Sequence, residues 1–123
     1  MRLLLDTHIA IWWLSGDRQL SSPTRRAIER AEDVFLSPVS LWEMFVKQDA
    51  GRLDLPPGFV DALRADFVEL PLTFEHALQG RALPLLHRDP FDRILIAQAL
   101  AERLTIVTAD ETIPRYGVPV LAA

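Results

Sequence analysis

A chain of 123 residues is long enough for one domain with a true hydrophobic core, and 50% hydrophobic residues exclude a disordered chain. It contains no cysteine, which removes disulfides, thiolate zinc sites and cysteine nucleophiles. A formal net charge of -4, from 13 basic and 17 acidic residues, disfavours a protein that coats nucleic acid non-specifically.

Lys47 is the only lysine; the other basic residues are arginines, which grip phosphate or carboxylate bidentately. Met1 to Asp6 is a brief apolar run broken by an acid, unlike a signal peptide. No stretch reaches the roughly 18 apolar residues of a membrane span. A cytoplasmic protein without a membrane anchor is therefore expected.

Arg2 to Leu5 is apolar without alternation and reads as a central strand of a parallel sheet. Asp6-Thr7 stops it and opens a helix with a broad apolar surface: Ile9, Ile11, Trp12, Trp13 and Leu14. Two roles account for Asp6: capping that helix, or holding a ligand at the C-terminal edge of a central strand. A lone histidine beside a strand end usually serves packing, so His8 stays outside the core set. Ser22-Pro23 starts a second helix that runs to about Ala31, and Val34 to Leu36 is a second buried strand.

Ser40-Leu41-Trp42-Glu43 has the spacing of a capping box, with a helix running on to about Gln48 and stopped by Gly51. Glu43 could close that helix start. Its apolar surroundings, Leu41, Trp42, Met44, Phe45 and Val46, require a metal or a basic partner, and Lys47 stands four residues on. Trp42 reads as core. Arg52 to Gly58 is a loop, Phe59 to Asp66 a helix, and Phe67 to Leu70 an edge strand. Thr73 caps a further helix, which Gly80 is expected to close.

His87-Arg88-Asp89-Pro90-Phe91-Asp92-Arg93 packs two acids, two arginines and a histidine into seven residues. Asp89 with Pro90 reads as a helix start. Asp92 falls in the first turn, on the face that meets the sheet, so dipole compensation and ligation both account for it. Arg93 or Arg88 could orient a carboxylate or meet phosphate. A long helix follows, then the strand Thr105 to Val107, then Thr108-Ala109-Asp110. The tail holds a turn of helix and a last edge strand, Pro119 to Leu121.

Strands alternating with helices predict one α/β domain over residues 1–123, with helices on both faces of the sheet. The strand-end acids Asp6 and Asp110 and the helix-start acids Glu43 and Asp92 would then converge at one sheet edge. Four carboxylates in one crevice need cations, and hard oxygen donors suit Mg²⁺ or Mn²⁺. Such a site activates water against a phosphodiester.

With these residues laid out, the chain resembles a PIN-domain ribonuclease of the VapC toxin type. The resemblance rests on Leu5-Asp6-Thr7-His8, on Ser40-Leu41-Trp42-Glu43 with Lys47 and Gly51, on His87 to Arg93 with Ile96-Ala97-Gln98-Ala99, and on Val107-Thr108-Ala109-Asp110. It implies a three-layer α/β/α sandwich around a parallel sheet of about five strands. Asp6, Glu43, Asp92 and Asp110 would be the catalytic, metal-holding acids, with Thr7 and Thr108 at the family's hydroxyl positions and Lys47 and Arg93 in support. It further implies Mg²⁺- or Mn²⁺-dependent endonucleolytic cleavage of RNA, a small VapB-like antitoxin as partner, and a homodimer. The net charge of -4 suits RNA contact limited to a groove or to a surface shared across a dimer. Two other readings remain at this point. One is an inactive PIN-like domain that binds protein. The other is a metal-dependent nuclease or phosphatase acting on DNA or phosphate esters.

Overall fold

The computed structural model describes residues 1–123 and contains five strands in one parallel sheet. They are β1 (Arg2–Leu5), β2 (Asp33–Leu36), β3 (Val68–Glu69), β4 (Thr105–Thr108) and β5 (Val120–Ala122). Their order across the sheet is β3-β2-β1-β4-β5. The unalternated Leu3-Leu4-Leu5 run thus lies in the middle, paired with β2 on one side and β4 on the other. Successive side chains leave a strand on opposite faces, so a strand covered on both faces must be apolar throughout. Leu3 and Leu5 accordingly join one core with Val34, Leu36 and Val107, while Leu4 joins a second core with Ile106.

Helices α1 (Thr7–Ser15), α2 (Ser22–Arg30), α3 (Pro38–Asp49) and α4 (Phe59–Asp66) close the first core with Ile9, Ile28, Met44 and Leu63. Helix α6 (Pro90–Glu102) closes the second with Leu95, Ile96 and Ala99, and α5 (Phe74–Ala82) packs on α6. The result is the expected three-layer α/β/α sandwich. No helix is long and apolar enough to cross a membrane.

Three local expectations change. Helix α3 begins at Pro38, not Ser40, because Ser37 takes the N-cap and accepts from the Val39 amide at 3.1 Å. The Ser40–Glu43 capping box therefore does not form, and Glu43 lies in the second turn. Gly80 does not end α5. A Cβ there would meet Ile94 Cδ1 at 3.1 Å, so the glycine lets α5 and α6 approach closely. Trp42 is not core but 62% exposed, on the outer side of α3.

The chain builds outward from β1 through β2 to β3, then returns to the other flank of β1 for β4. The strand order reverses between β1 and β4. Open α/β sheets bind ligands outside the C-terminal strand ends at such a reversal. Asp6 follows β1 there, and Asp110 follows β4.

Candidate metal centre

Asp6 occupies the N-cap position of α1 but spends no side-chain bond on the helix. Its backbone N–H instead continues the β1–β4 ladder by donating to the Val107 carbonyl at 3.0 Å. Its Oδ2 accepts from the Thr108 hydroxyl at 2.7 Å. Its Oδ1 is buried and has no partner. Asp6 thus forms no side-chain cap bond, and one carboxylate oxygen is held in the crevice without a hydrogen-bond partner.

The Thr7 hydroxyl donates to Glu43 Oε1 at 2.7 Å and also meets Ser40 Oγ at 3.0 Å. The other oxygen of Glu43 pairs with Lys47 Nζ at 2.9 Å. Both hydroxyls expected near the acids are therefore used to aim them: Thr108 holds Asp6, and Thr7 holds Glu43. Lys47 is an organic counter-ion, as its i,i+4 spacing suggested.

At the start of α6, Asp89 does the capping. Its Oδ1 accepts from the amides of Phe91 at 2.9 Å and Asp92 at 3.5 Å. Asp92 is thereby left free of backbone duty, and its Oδ2 lies 3.0 Å from His87 Nε2. His87 Nε2 also lies 2.9 Å from Asp110 Oδ2, so one imidazole joins an acid from α6 to an acid beyond β4. Asp110 is further fixed by the Thr112 amide, which donates to its Oδ1 at 2.7 Å, and by its own amide donating to Thr108 Oγ1 at 3.0 Å.

Sequence reasoning missed His87 as a site residue; the signal was a histidine two residues ahead of the capping aspartate. The three ligand atoms of His87, Asp92 and Asp110 lie within 4.8 Å of one another, a spacing a metal could bridge. The tautomer argues for another role. The Asp89 amide donates to His87 Nδ1 at 3.2 Å, so Nδ1 carries a lone pair and the neutral ring's proton sits on Nε2. A protonated Nε2 donates to the two carboxylates and cannot ligate. His87 is thus a clamp between Asp92 and Asp110. Tyr116 steadies it: the hydroxyl oxygen accepts from the amides of Leu86 and His87 at 3.1 and 2.8 Å and donates to the Pro84 carbonyl at 2.9 Å. Nothing in the linear sequence marks that contact.

Arg93 turns away from the crevice. Its guanidinium donates to the carbonyls of Gly80, Leu83 and Pro84 at 2.9–3.0 Å, tying the end of α5 to the start of α6. Support, not substrate contact, is its structural part. His8 is exposed beside Trp12, with ring centroids 6.1 Å apart, and bonds to none of the acids.

A family model described as the PIN domain matches residues 3–119. This chain belongs to the PIN domain family. It is 28% identical over 121 residues to Ribonuclease VapC22 of Mycobacterium tuberculosis, a match covering 95% of this chain and 93% of that protein. Its fold is similar to that of VapBC2 from Rickettsia felis bound to a promoter DNA fragment, with a TM-score of 0.76, 14% identity, and 99% and 98% of the two chains covered. A toxin–antitoxin complex from Klebsiella pneumoniae gives a TM-score of 0.71 at 22% identity, covering 97% and 95% of the two chains.

The electrostatics of this PIN crevice are those of too many acids for the cations present. Burial raises the Asp6 carboxyl above its usual range; the Glu43 charge adds to the rise, and the Thr108 hydrogen bond only partly offsets it. Asp92 is pushed up to about 7, first by burial and then by the charges of Asp6, Asp89 and Glu43. Burial also acts on Asp110, but the hydrogen bonds from His87 and the Thr112 amide outweigh it and hold that carboxyl low. His87 is raised: the neighbouring carboxylates outweigh its burial.

Asp6, Glu43 and Asp92 are therefore in mutual electrostatic contact, and Asp110 joins them through Thr108 and His87. A divalent cation with oxygen ligands fits this set. It would occupy the orphaned Asp6 Oδ1, relieve the proton affinity of Asp92, and use donors of the hard type such ions require.

Proposed function

We propose that this chain, as one PIN domain over residues 1–123, is an endoribonuclease that hydrolyses RNA phosphodiester bonds with Mg²⁺ or Mn²⁺. The reading rests above all on Asp6: a buried carboxylate at the sheet's reversal point with one oxygen unpartnered, beside Glu43 and Asp92. The name of its relative, a ribonuclease, supplies the substrate class.

Asp6, Glu43 and Asp92 would hold the ion directly or through water, with Asp110 completing the site. When bound, such an ion polarises the phosphodiester and lowers the pKa of water. The chain's own residues do the rest. Thr108 and Thr7 fix the directions of Asp6 and Glu43, Lys47 balances the Glu43 charge, and His87 sets the spacing of Asp92 and Asp110. Arg93 holds the α5–α6 junction from which His87 and Asp92 project.

The solved relatives named for toxin–antitoxin complexes support a matching role here: a toxin held by a small VapB-like antitoxin. A homodimer is supported by exposed apolar side chains on α3 (Trp42), on the segment leading into α5 (Leu72) and on α5 itself (Phe74 and Leu78). A cytoplasmic location accords with the lack of any helix able to span a membrane.

Purified protein incubated with RNA and Mn²⁺ or Mg²⁺ should cut it, and chelator should stop the reaction. Asp6→Asn should lower cleavage by at least about a hundredfold while the protein stays folded by circular dichroism. Full activity in that variant, or cleavage undiminished in chelator, overturns the assignment.

A further inference from the structure

A depression of about 580 Å³ adjoins the acids on the α3 side and is lined by Glu43, Lys47, Arg52, Arg88 and Phe91. A second depression continues it past α1; the two share Lys47 and Arg52, and the second adds His8 and Trp12. Together they form one groove with three cations in the middle and aromatic rings towards both ends. Of the cations, only Lys47 is engaged, with Glu43. The guanidiniums of Arg52 and Arg88 are exposed, and neither makes an ion pair or a side-chain hydrogen bond. The Asp89 carboxylate at the rim is committed to the α6 amides.

Unpaired guanidiniums beside a carboxylate cluster have a purpose if an anion passes between them. A chain with a net charge of -4 must also concentrate its positive field locally to hold a polyanion. Aromatic rings on either side of a row of cations match the needs of single-stranded nucleic acid, whose bases stack while its phosphates pair.

We propose that this groove carries the single-stranded RNA strand into the site, with Arg52 and Arg88 holding phosphates that flank the scissile one and Trp12 and Phe91 meeting bases. The proposal rests on the ribonuclease reading for the identity of the substrate. It adds the face of the molecule along which that substrate lies: across α3 and the start of α6, not across α5 and the Ile113–Tyr116 turn.

The test is fluorescence anisotropy of a labelled, mixed-sequence single-stranded RNA, in chelator so that no cleavage occurs, across a range of KCl concentrations. Arg52→Gln/Arg88→Gln should weaken binding about tenfold near 100 mM salt. The slope of log affinity against log salt should shrink by about 1.4, or about 0.7 for each lost phosphate contact. Arg26→Gln/Arg30→Gln, which removes the same charge from exposed positions on α2, should leave both quantities unchanged. Trp12→Leu should weaken binding without altering the slope. Equal affinity and slope in the Arg52/Arg88 variant overturns the proposal, as does failure of the unaltered protein to bind RNA. So does an unchanged RNA affinity with a reduced affinity for an acidic peptide, which would make the groove a protein-docking site. Salt-dependent binding that needs both arginines, from a protein that never cleaves RNA in Mn²⁺, would uphold the groove and refute the nuclease.

Discussion

Replacing Asp92 with Asn should make the metal-free protein more stable at pH 8 while removing its response to metal. Asp92 is raised from 3.8 to about 7 in the folded chain. At about 1.36 kcal/mol per unit, a shift of about 3 units corresponds to about 4 kcal/mol. The carboxylate opens onto the crevice, with 12% of the side chain exposed, and solvent screening reduces the figure to about 2 kcal/mol. The sign follows from proton linkage. Between pH 3.8 and about 7 the folded chain holds a proton that the unfolded chain has released, so the Asp92 contribution to stability falls as pH rises through that window. Asn does not titrate, and its side-chain oxygen can still accept from His87 Nε2. Urea unfolding in chelator should therefore show Asp92→Asn about 2 kcal/mol more stable than the unaltered protein at pH 8, with the difference vanishing towards pH 4. Adding Mn²⁺ at pH 8 should stabilise the unaltered protein by mass action and leave the variant unchanged. A variant less stable at pH 8 in chelator, or a difference that does not depend on pH, would refute the picture of Asp92 as a carboxylate destabilised until a cation arrives.

Other substitutions separate the acids from the residues that aim them. His87→Ala should lower Mn²⁺ affinity at pH 8 by about tenfold in calorimetric titration, and His87→Gln, which keeps an N–H donor, should recover part of that loss; equal affinity in all three would remove the clamp. Arg93→Ala breaks three bonds to carbonyl groups and should cost about 2 kcal/mol in thermal unfolding, with faster hydrogen exchange over residues 80–88. In calorimetric titration its Mn²⁺ affinity should fall less than that of His87→Ala, since the guanidinium bonds to none of the acids and acts only through the junction that carries His87.

The parts of the fold visible in the sequence were those set by short-range patterning. Leu3-Leu4-Leu5 announced a strand buried on both faces, and Asp89-Pro90 announced the start of α6, because both depend on a few adjacent residues. The start of α3 was misread because Ser37-Pro38 and Ser40-Glu43 both carry capping chemistry, and only the path of the chain out of β2 selects the first. Trp42 was misread because large apolar side chains usually lie inside, and nothing local says which side of α3 faces solvent.

For the site, the sequence by itself determined the inventory: Asp6, Glu43, Asp92 and Asp110, each at a strand end or near a helix start. Asp6, Glu43 and Asp92 each also had a bland local role open to them, and a local role cannot be dismissed from local residues. Only the tertiary structure supplied the partners of these carboxylates, which lie as far as 102 residues away along the chain. Asp6 is claimed by Thr108 across β1 and β4 instead of capping α1, Glu43 is held by Thr7 from α1, and Asp92 and Asp110 are joined by His87. Burial at the reversal of strand order then raises the cost of their charges, and that cost leaves Asp6 Oδ1 ready for a cation.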